Sequence, residues 1–239
     1  MPPKPFSSVW TREHRGPREQ GLSRDQIVRA ALEILDADGL DALSMRKLGA
    51  RLGAGATSLY WHVAHKDELI ELVMDEVYGK VAVPEEASWR ETAGVFAYGL
   101  RHAILDHPWS AGLIGVVPAL GPNALTAADR LMGAFVRAGF EGIDVDYAVT
   151  AVVAFTLGAT VPEVAWLNAM AASGTDMDKL HADIGPVVVK LASERPHLRQ
   201  RYENYTGEKF DPHVARRLAF DFGLMALLDG LQARLPSSP

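Results

Sequence analysis

Between Ser44 and Lys66 the chain places two cations, Arg46 and Lys47, ahead of three small residues, Ala56, Thr57 and Ser58. A Tyr60-Trp61-His62 run and Lys66 follow. These types suit non-covalent recognition of a nucleic-acid duplex. Arginine and lysine reach phosphates or a guanine edge, small hydroxyls and methyls fit against base edges, and phenol, indole and imidazole groups donate to phosphate oxygens. Ordinary aromatic core is the alternative for Leu59-Tyr60-Trp61, and for Leu59 it holds. Three consecutive large residues span too many faces of a helix to be buried together, so parts of Tyr60 and Trp61 face outward.

Other constellations lead to no chemistry. Asp178/His181 and Glu194/His197 have the i,i+3 spacing of helical metal ligands, but Pro196 interrupts the second and no paired inward carboxylates accompany either. His62/His65 belongs with the duplex-facing surface and the turn after it. Gly53-x-Gly55-x-x-Ser58 lacks a third glycine and a preceding strand, so it is no dinucleotide loop. No serine sits in a nucleophile-elbow context. The sequence therefore predicts no enzyme, no cofactor and no metal.

The recognition residues need short, rigid helices beneath them. Ser23 with Gln26 reads as a capping box, and Ile27, Ala30, Ala31, Ile34 and Leu35 follow on one helical face up to Gly39. Ser44 caps a second short helix with Met45, Leu48 and Leu52 inward, Gly53-Ala54-Gly55 turns, and a third helix covers about 56–62. Two helices joined by a glycine turn, the second short and polar, describe a helix-turn-helix whose second helix enters the major groove. Lys66-Asp67-Glu68 opens a fourth helix, with Leu69, Ile70, Val73 and Val77 at helical spacing before Pro84.

The rest of the chain reads as all-α. Helices are predicted over 89–107, 122–138, 144–172 (capped by Asp144 and kinked at Pro162), 186–194, and from Asp211-Pro212 to before Pro236. Residues 173–185 and 195–210 read as polar connections. The division is an aperiodic arm over 1–22, a helix-turn-helix domain over 23–66, and a larger helical domain over 67–239 with a connecting helix at 67–83. The last helix is apolar on several sides, so Leu218, Phe222, Met225 and Leu228 are expected to meet a second copy of the chain.

Charge follows that division. Residues 1–66 carry 10 Lys/Arg against 7 Asp/Glu, whereas residues 67–239 carry 14 against 23. A basic end that meets phosphate and an acidic body with another task fit this asymmetry. Arg12, Arg15 and Arg18 are candidates for a minor-groove arm. The chain has no cysteine, which excludes disulfides and Cys-ligated zinc. No apolar run is read as approaching the ~20 residues of a membrane span. Nor is a secretory signal read, and a cytoplasmic location is expected.

The text Leu43-Ser44-Met45-Arg46-Lys47-Leu48, then Ser58-Leu59-Tyr60-Trp61-His62-Val63, then Lys66 and Leu69, resembles the N-terminal domain of the TetR family of bacterial repressors. The resemblance spans Ser23–Val81. It implies that Ser44, Arg46, Thr57, Ser58, Tyr60, Trp61, His62 and Lys66 form a DNA surface, and that the helical remainder dimerises and binds a small-molecule effector. Ala154-Phe155-Thr156-Leu157-Gly158 is similar to a segment of the family's tetracycline-binding members that has histidine in place of Ala154, so metal–tetracycline recognition is not carried over. His102, Trp109, Phe135, Phe155, Glu163 and Trp166 lie in the helices expected to line an effector pocket.

Overall fold

The computed structural model describes residues 8–11, 22–174, 177–205 and 211–235, without the side chains of 56, 57, 177, 178, 180–182, 202–205 and 212. Ten α-helices lie within these ranges, with no strand among the described residues beyond one isolated bridge between Ile114 and Val117. Arg12, Arg15, Arg18 and the side chains of Asp178 and His181 lie outside the described residues.

Helix α1 (Arg24–Asp38) starts in the capping box expected at Ser23. Ser23 Oγ accepts the Gln26 N–H at 3.1 Å, and Gln26 Oε1 accepts the Ser23 N–H at 2.8 Å. Helices α2 (Met45–Arg51) and α3 (Ala56–His62) are joined through Gly53, whose φ of 61° is a left-handed conformation that glycine adopts at least cost. Helix α4 (Lys66–Tyr78) begins at His65, whose Nδ1 accepts the Glu68 N–H at 3.3 Å. Ile27, Ile34, Leu48, Leu59, Val63, Leu69 and Val73 form one apolar core among these four helices. Truncating a fully buried leucine such as Leu59 to alanine costs roughly 2–5 kcal/mol, so this core fixes α3 firmly.

Residues 8–11, read from sequence as part of an aperiodic arm, include a 3₁₀ turn over Val9–Thr11 with Ser8 and Val9 buried. Val9 donates its N–H to Glu71 Oε2 of α4 at 3.1 Å, and the Ser8 hydroxyl donates to the same oxygen. Packing of Val9 into the α1–α4 core outweighs the lack of helical periodicity in this stretch.

A second core joins α5 (Trp89–Asp106), α6 (Pro122–Ala138), α7 (Ile143–Ser173) and α10 (Pro212–Gln232). Helix α5 packs against each of the other three. Asp144 lies in the first turn of α7 rather than capping it; the cap position is Gly142. Helix α7 runs through Pro162 without a break, and the buried hydroxyls of Thr156 and Thr160 each donate to the carbonyl four residues back. By length and composition α7 is apolar enough to cross a membrane, which corrects the sequence expectation. One side of it packs against α5, α6 and α10 and includes a buried charge, Glu163.

Helix α8 (Met177–Ala192) joins the latter part of the 173–185 segment, read as a connection, to the helix expected over 186–194, and α9 (Pro196–Tyr205) occupies the second segment read as a connection. Gly185-Pro186 reads as a break, yet α8 continues across it. Leu32, Tyr78, Trp109 and Ile114 pack against both cores, so the two helical bodies share one joint.

Candidate nucleic-acid interface and the helical domain behind it

The α2–α3 unit has an apolar underside and a polar outer side. Leu48, Leu59 and Val63 have no solvent exposure, while Ser44, Arg46, Lys47, Ser58 and Tyr60 are exposed and Trp61 and His62 are half-buried. Ser44 Oγ accepts the Lys47 N–H at 3.2 Å, so it serves first as the α2 cap. The Trp61 and His62 rings meet edge to face at 5.1 Å, which holds both near the surface. The backbone of Ala56 and Thr57 opens α3, next to exposed Ser58.

The cations are not equivalent. Lys47 Nζ pairs with Asp38 Oδ2 at 2.8 Å, and Arg51 Nη2 pairs with Glu33 Oε2 at 2.5 Å. Lys66 Nζ donates to the Leu40 carbonyl at 3.1 Å, tying α4 to the turn after α1. Arg46 makes no ion pair or hydrogen bond among the described residues. Its guanidinium is therefore available for a phosphate or a guanine edge without breaking an internal contact.

The six residues read as pocket lining do not share one site. His102 is exposed on α5, and Phe135 is fully buried against Trp89 and Phe140. Trp109 belongs to the joint between the bodies. Its Nε1–H donates to Asp36 Oδ1 at 2.8 Å, and the same oxygen lies 2.7 Å from His107 Nδ1. Helical periodicity cannot separate these environments, because each is fixed by tertiary neighbours.

Phe155 and Glu163 do come together, through residues that sequence reasoning missed, and Trp166 meets another such residue, Arg216. Glu163 Oε2 on α7 lies 2.7 Å from Arg101 Nη1 on α5, with both side chains buried. This is charge pairing without an aligned hydrogen bond, since Oε2 has no hydrogen-bond partner. The Arg101 guanidinium sits 4.8 Å over the Phe220 ring, which also meets Phe155 and Tyr98. Arg216 stacks 3.8 Å over Trp166. Phe155 fits because position 223 is glycine: a Cβ there would lie 2.5 Å from the Phe155 ring. The available signal for Arg101 was its place one position after Leu100 and four after Ala97, on the apolar face of α5.

Tyr98 donates its hydroxyl to Asp221 Oδ1 at 2.6 Å. Desolvation, then that hydrogen bond and the Asp221 charge, push its phenol up to about 12, with Arg101 acting the other way. Away from this cluster, a groove of about 660 Å³ lies beside α6, lined in part by Glu85, Thr126, Asp129 and Arg130. None of the six residues borders it. No group of three or more His, Cys, Asp or Glu suited to a metal occurs among the described residues.

Helix α10 divides its apolar residues. Phe220, Leu224, Leu228 and Leu231 are buried in the chain's own core, so Leu228 is a core residue and not part of an outward face. Leu218, Phe222 and Met225 are 59%, 79% and 50% exposed. Beginning with Asp211, whose Oδ1 accepts the His213 and Val214 N–H groups, α10 is capped as the sequence predicts.

Comparisons with known proteins agree with this architecture. A family profile described as "Bacterial regulatory proteins, tetR family" matches residues 27–73, and one described as "Tetracyclin repressor-like, C-terminal domain" matches residues 83–235. An HTH-type transcriptional regulator of Saccharopolyspora erythraea is 44% identical over 162 residues, covering 66% of this chain and 69% of that protein. The HTH-type transcriptional repressor DrrR1 of Streptomyces coeruleorubidus is 31% identical over 226 residues, covering 92% and 81%. The crystal structure of ActR from Streptomyces coelicolor in complex with (S)-DNPA superposes with a TM-score of 0.72 at 30% identity, covering 91% of this chain and all of that one.

Proposed function

This chain belongs to the TetR family of transcriptional regulators, and on that premise we propose that it is a homodimeric repressor released from a palindromic operator by a small molecule. The observation that carries the DNA half is the two-sided α2–α3 unit. Leu48, Leu59 and Val63 lock it from below, while Arg46, Ser58 and Tyr60 stand outward with Arg46 unengaged among the described residues. Ala56, Thr57 and Ser58 are left to choose among bases, and Arg46, Lys47, Tyr60, Trp61, His62 and Lys66 hold phosphate or a guanine. Ser44 supports them as the α2 cap. Arg12, Arg15 and Arg18 reach the adjacent minor groove.

A second copy is the occupant proposed for the α10 face. Leu218, Phe222 and Met225 recur at i, i+4 and i+7, a spacing that forms one helical stripe. Two copies related by a two-fold axis set their α3 helices about 34–36 Å apart, one turn of DNA, which calls for a palindromic site. The effector site is placed at the α5–α7–α10 cluster around Arg101, Glu163, Phe155 and Trp166, where charged and aromatic groups converge. DrrR1 is a repressor and ActR has been solved with a small molecule, and both support this reading by likeness. Such a regulator works in the cytoplasm and needs neither cofactor nor catalysis.

The test is fluorescence anisotropy with a labelled duplex selected on the wild-type protein from a random-sequence library. Arg46→Ala should lower affinity about 10-fold, within the ~1–3 kcal/mol of a bidentate guanine contact, with an unchanged melting temperature. Replacing Arg12, Arg15 and Arg18 with alanine should flatten the salt dependence, because phosphate contacts release counterions. Full affinity in Arg46→Ala would remove this residue from the interface, and an unchanged salt slope in the triple variant would remove the arm.

A further inference from the structure

Helix α4 is buried along most of its length, and the buried residues include three carboxylates at i, i+3 and i+7: Glu68, Glu71 and Asp75. Burying such groups is expensive unless they are hydrogen-bonded. Each accepts a backbone N–H from a different segment. Glu68 Oε2 takes Ala64 at 2.7 Å, closing the turn that follows α3. Glu71 takes Val9 of the N-terminal segment at 3.1 Å. Asp75 takes Asn123 at 3.2 Å and Ala124 at 3.0 Å, both in the first turn of α6.

The Asp75 contact is a helix cap supplied from another helix. Helix α6 begins at Gly121, which offers no side-chain cap, and the first N–H groups of a helix have no partner within it. Asp75 fills that role, and Asn123 Nδ2 returns a hydrogen bond to the Asp75 carbonyl at 3.1 Å. Gly121 makes room for it. A Cβ at that position would lie 2.2 Å from Asp75 Cγ and Oδ1, although the backbone at φ −74° suits any residue.

We propose that Asp75 is a positioning residue for DNA recognition: its carboxylate pins α4, and α3 beyond it, to the start of α6 in the second helical body. A broken cap leaves the recognition helices without a fixed spacing. This inference rests on the dimeric, operator-binding reading given above.

The chain's lack of cysteine allows a direct measurement. Asp41→Cys, exposed in the turn before α2, takes one spin label per protomer, and pulsed dipolar spectroscopy reads the separation of the two DNA-binding heads. The same proteins are titrated with the selected duplex. Asp75→Asn and Gly121→Ala should each broaden or shift the distance distribution and weaken binding by about 5-fold or more, the lower end of typical inter-site coupling.

A lowered melting temperature with an unchanged distance distribution and unchanged affinity would make Asp75 a merely structural cap and overturn the proposal. If Asp75→Asn fails to fold, Gly121→Ala carries the same test. Absence of a dipolar signal or of duplex binding in the Asp41→Cys parent identifies a different failure, that of the dimeric operator reading, and the inference falls with it.

Discussion

Removing the Glu163 charge while keeping its shape should be among the most damaging single changes in the second helical body. In the wild-type chain Glu163 and Arg101 are 6% and 7% exposed and meet at 2.7 Å, so each neutralises a charge that water does not reach. Glu163→Gln strands the Arg101 guanidinium over the Phe220 ring, 4.8 Å away, with no carboxylate beside it. Breaking a buried pair from one side costs roughly 3–5 kcal/mol. Each kcal/mol moves the midpoint about 2–4 °C in a protein of 150–250 residues, so the loss is roughly 6–20 °C.

The assay is thermal unfolding followed by circular dichroism, at one fixed protein concentration because the midpoint of a dimer depends on it. The partner experiment replaces both charges, Arg101→Met with Glu163→Leu. Apolar replacement of a whole buried pair is often neutral or stabilising, so the double variant should melt well above Glu163→Gln. A Glu163→Gln protein melting within about 2 °C of wild type, below the ~6 °C floor of the expected loss, would refute the pairing argument. A double variant as unstable as the single would refute the explanation by a stranded charge.

Two more outcomes are expected. Phe222→Lys, at the most exposed position of the α10 stripe, should convert the protein to monomers by sedimentation at micromolar concentration; a persistent dimer would place the interface elsewhere. Tyr98 should ionise around pH 12 instead of near 10. Its folded-state pKa is raised, so its contribution to stability is complete below pH ~10 and is lost as pH rises toward 12. Ultraviolet titration should therefore show a late phenol component that Tyr98→Phe reduces, leaving that of Tyr78, which burial and the Asp75 charge also raise, and an unchanged curve in that variant would count against the Asp221 hydrogen bond.

What the sequence disclosed was what local rules govern. The Ser23/Gln26 box, the Ser44 cap, Pro122 at the start of α6 and Asp211-Pro212 at the start of α10 act over a few residues, and each stands where the pattern put it. The outward set on α2 and α3 was legible for the same reason, since Leu48 and Leu59 mark the inner face. The first half of α8 was hidden because Gly185-Pro186 is a strong local break signal, which put the helix start at Pro186, and its Ile184, Val187 and Leu191 stripe is exposed instead of buried. The pocket residues were hidden for a different reason. Whether Phe135 packs in a closed core and Glu163 meets Arg101 depends on which helices become neighbours, and no residue count along the chain encodes that.

The acids of α4 show how such a site could be found. Glu68, Glu71 and Asp75 form one polar stripe opposite Leu69, Ile70, Val73 and Val77, which local preference leaves to solvent, yet all three are buried. Apolar replacements would pack at no electrostatic cost, because buried polar groups are seldom the most stable choice. A carboxylate differs in being directional: it holds a chosen N–H at hydrogen-bond distance, and its attachment is made or broken where an apolar contact would slide. Glu68, Glu71 and Asp75 attach α4 in this way to the turn after α3, to the N-terminal segment and to the start of α6. A helix that only filled space would have no use for three such attachments. One that sets the position of a recognition helix against two other parts of the chain does, and there the burial of a stripe that local preference leaves in water is the functional signal.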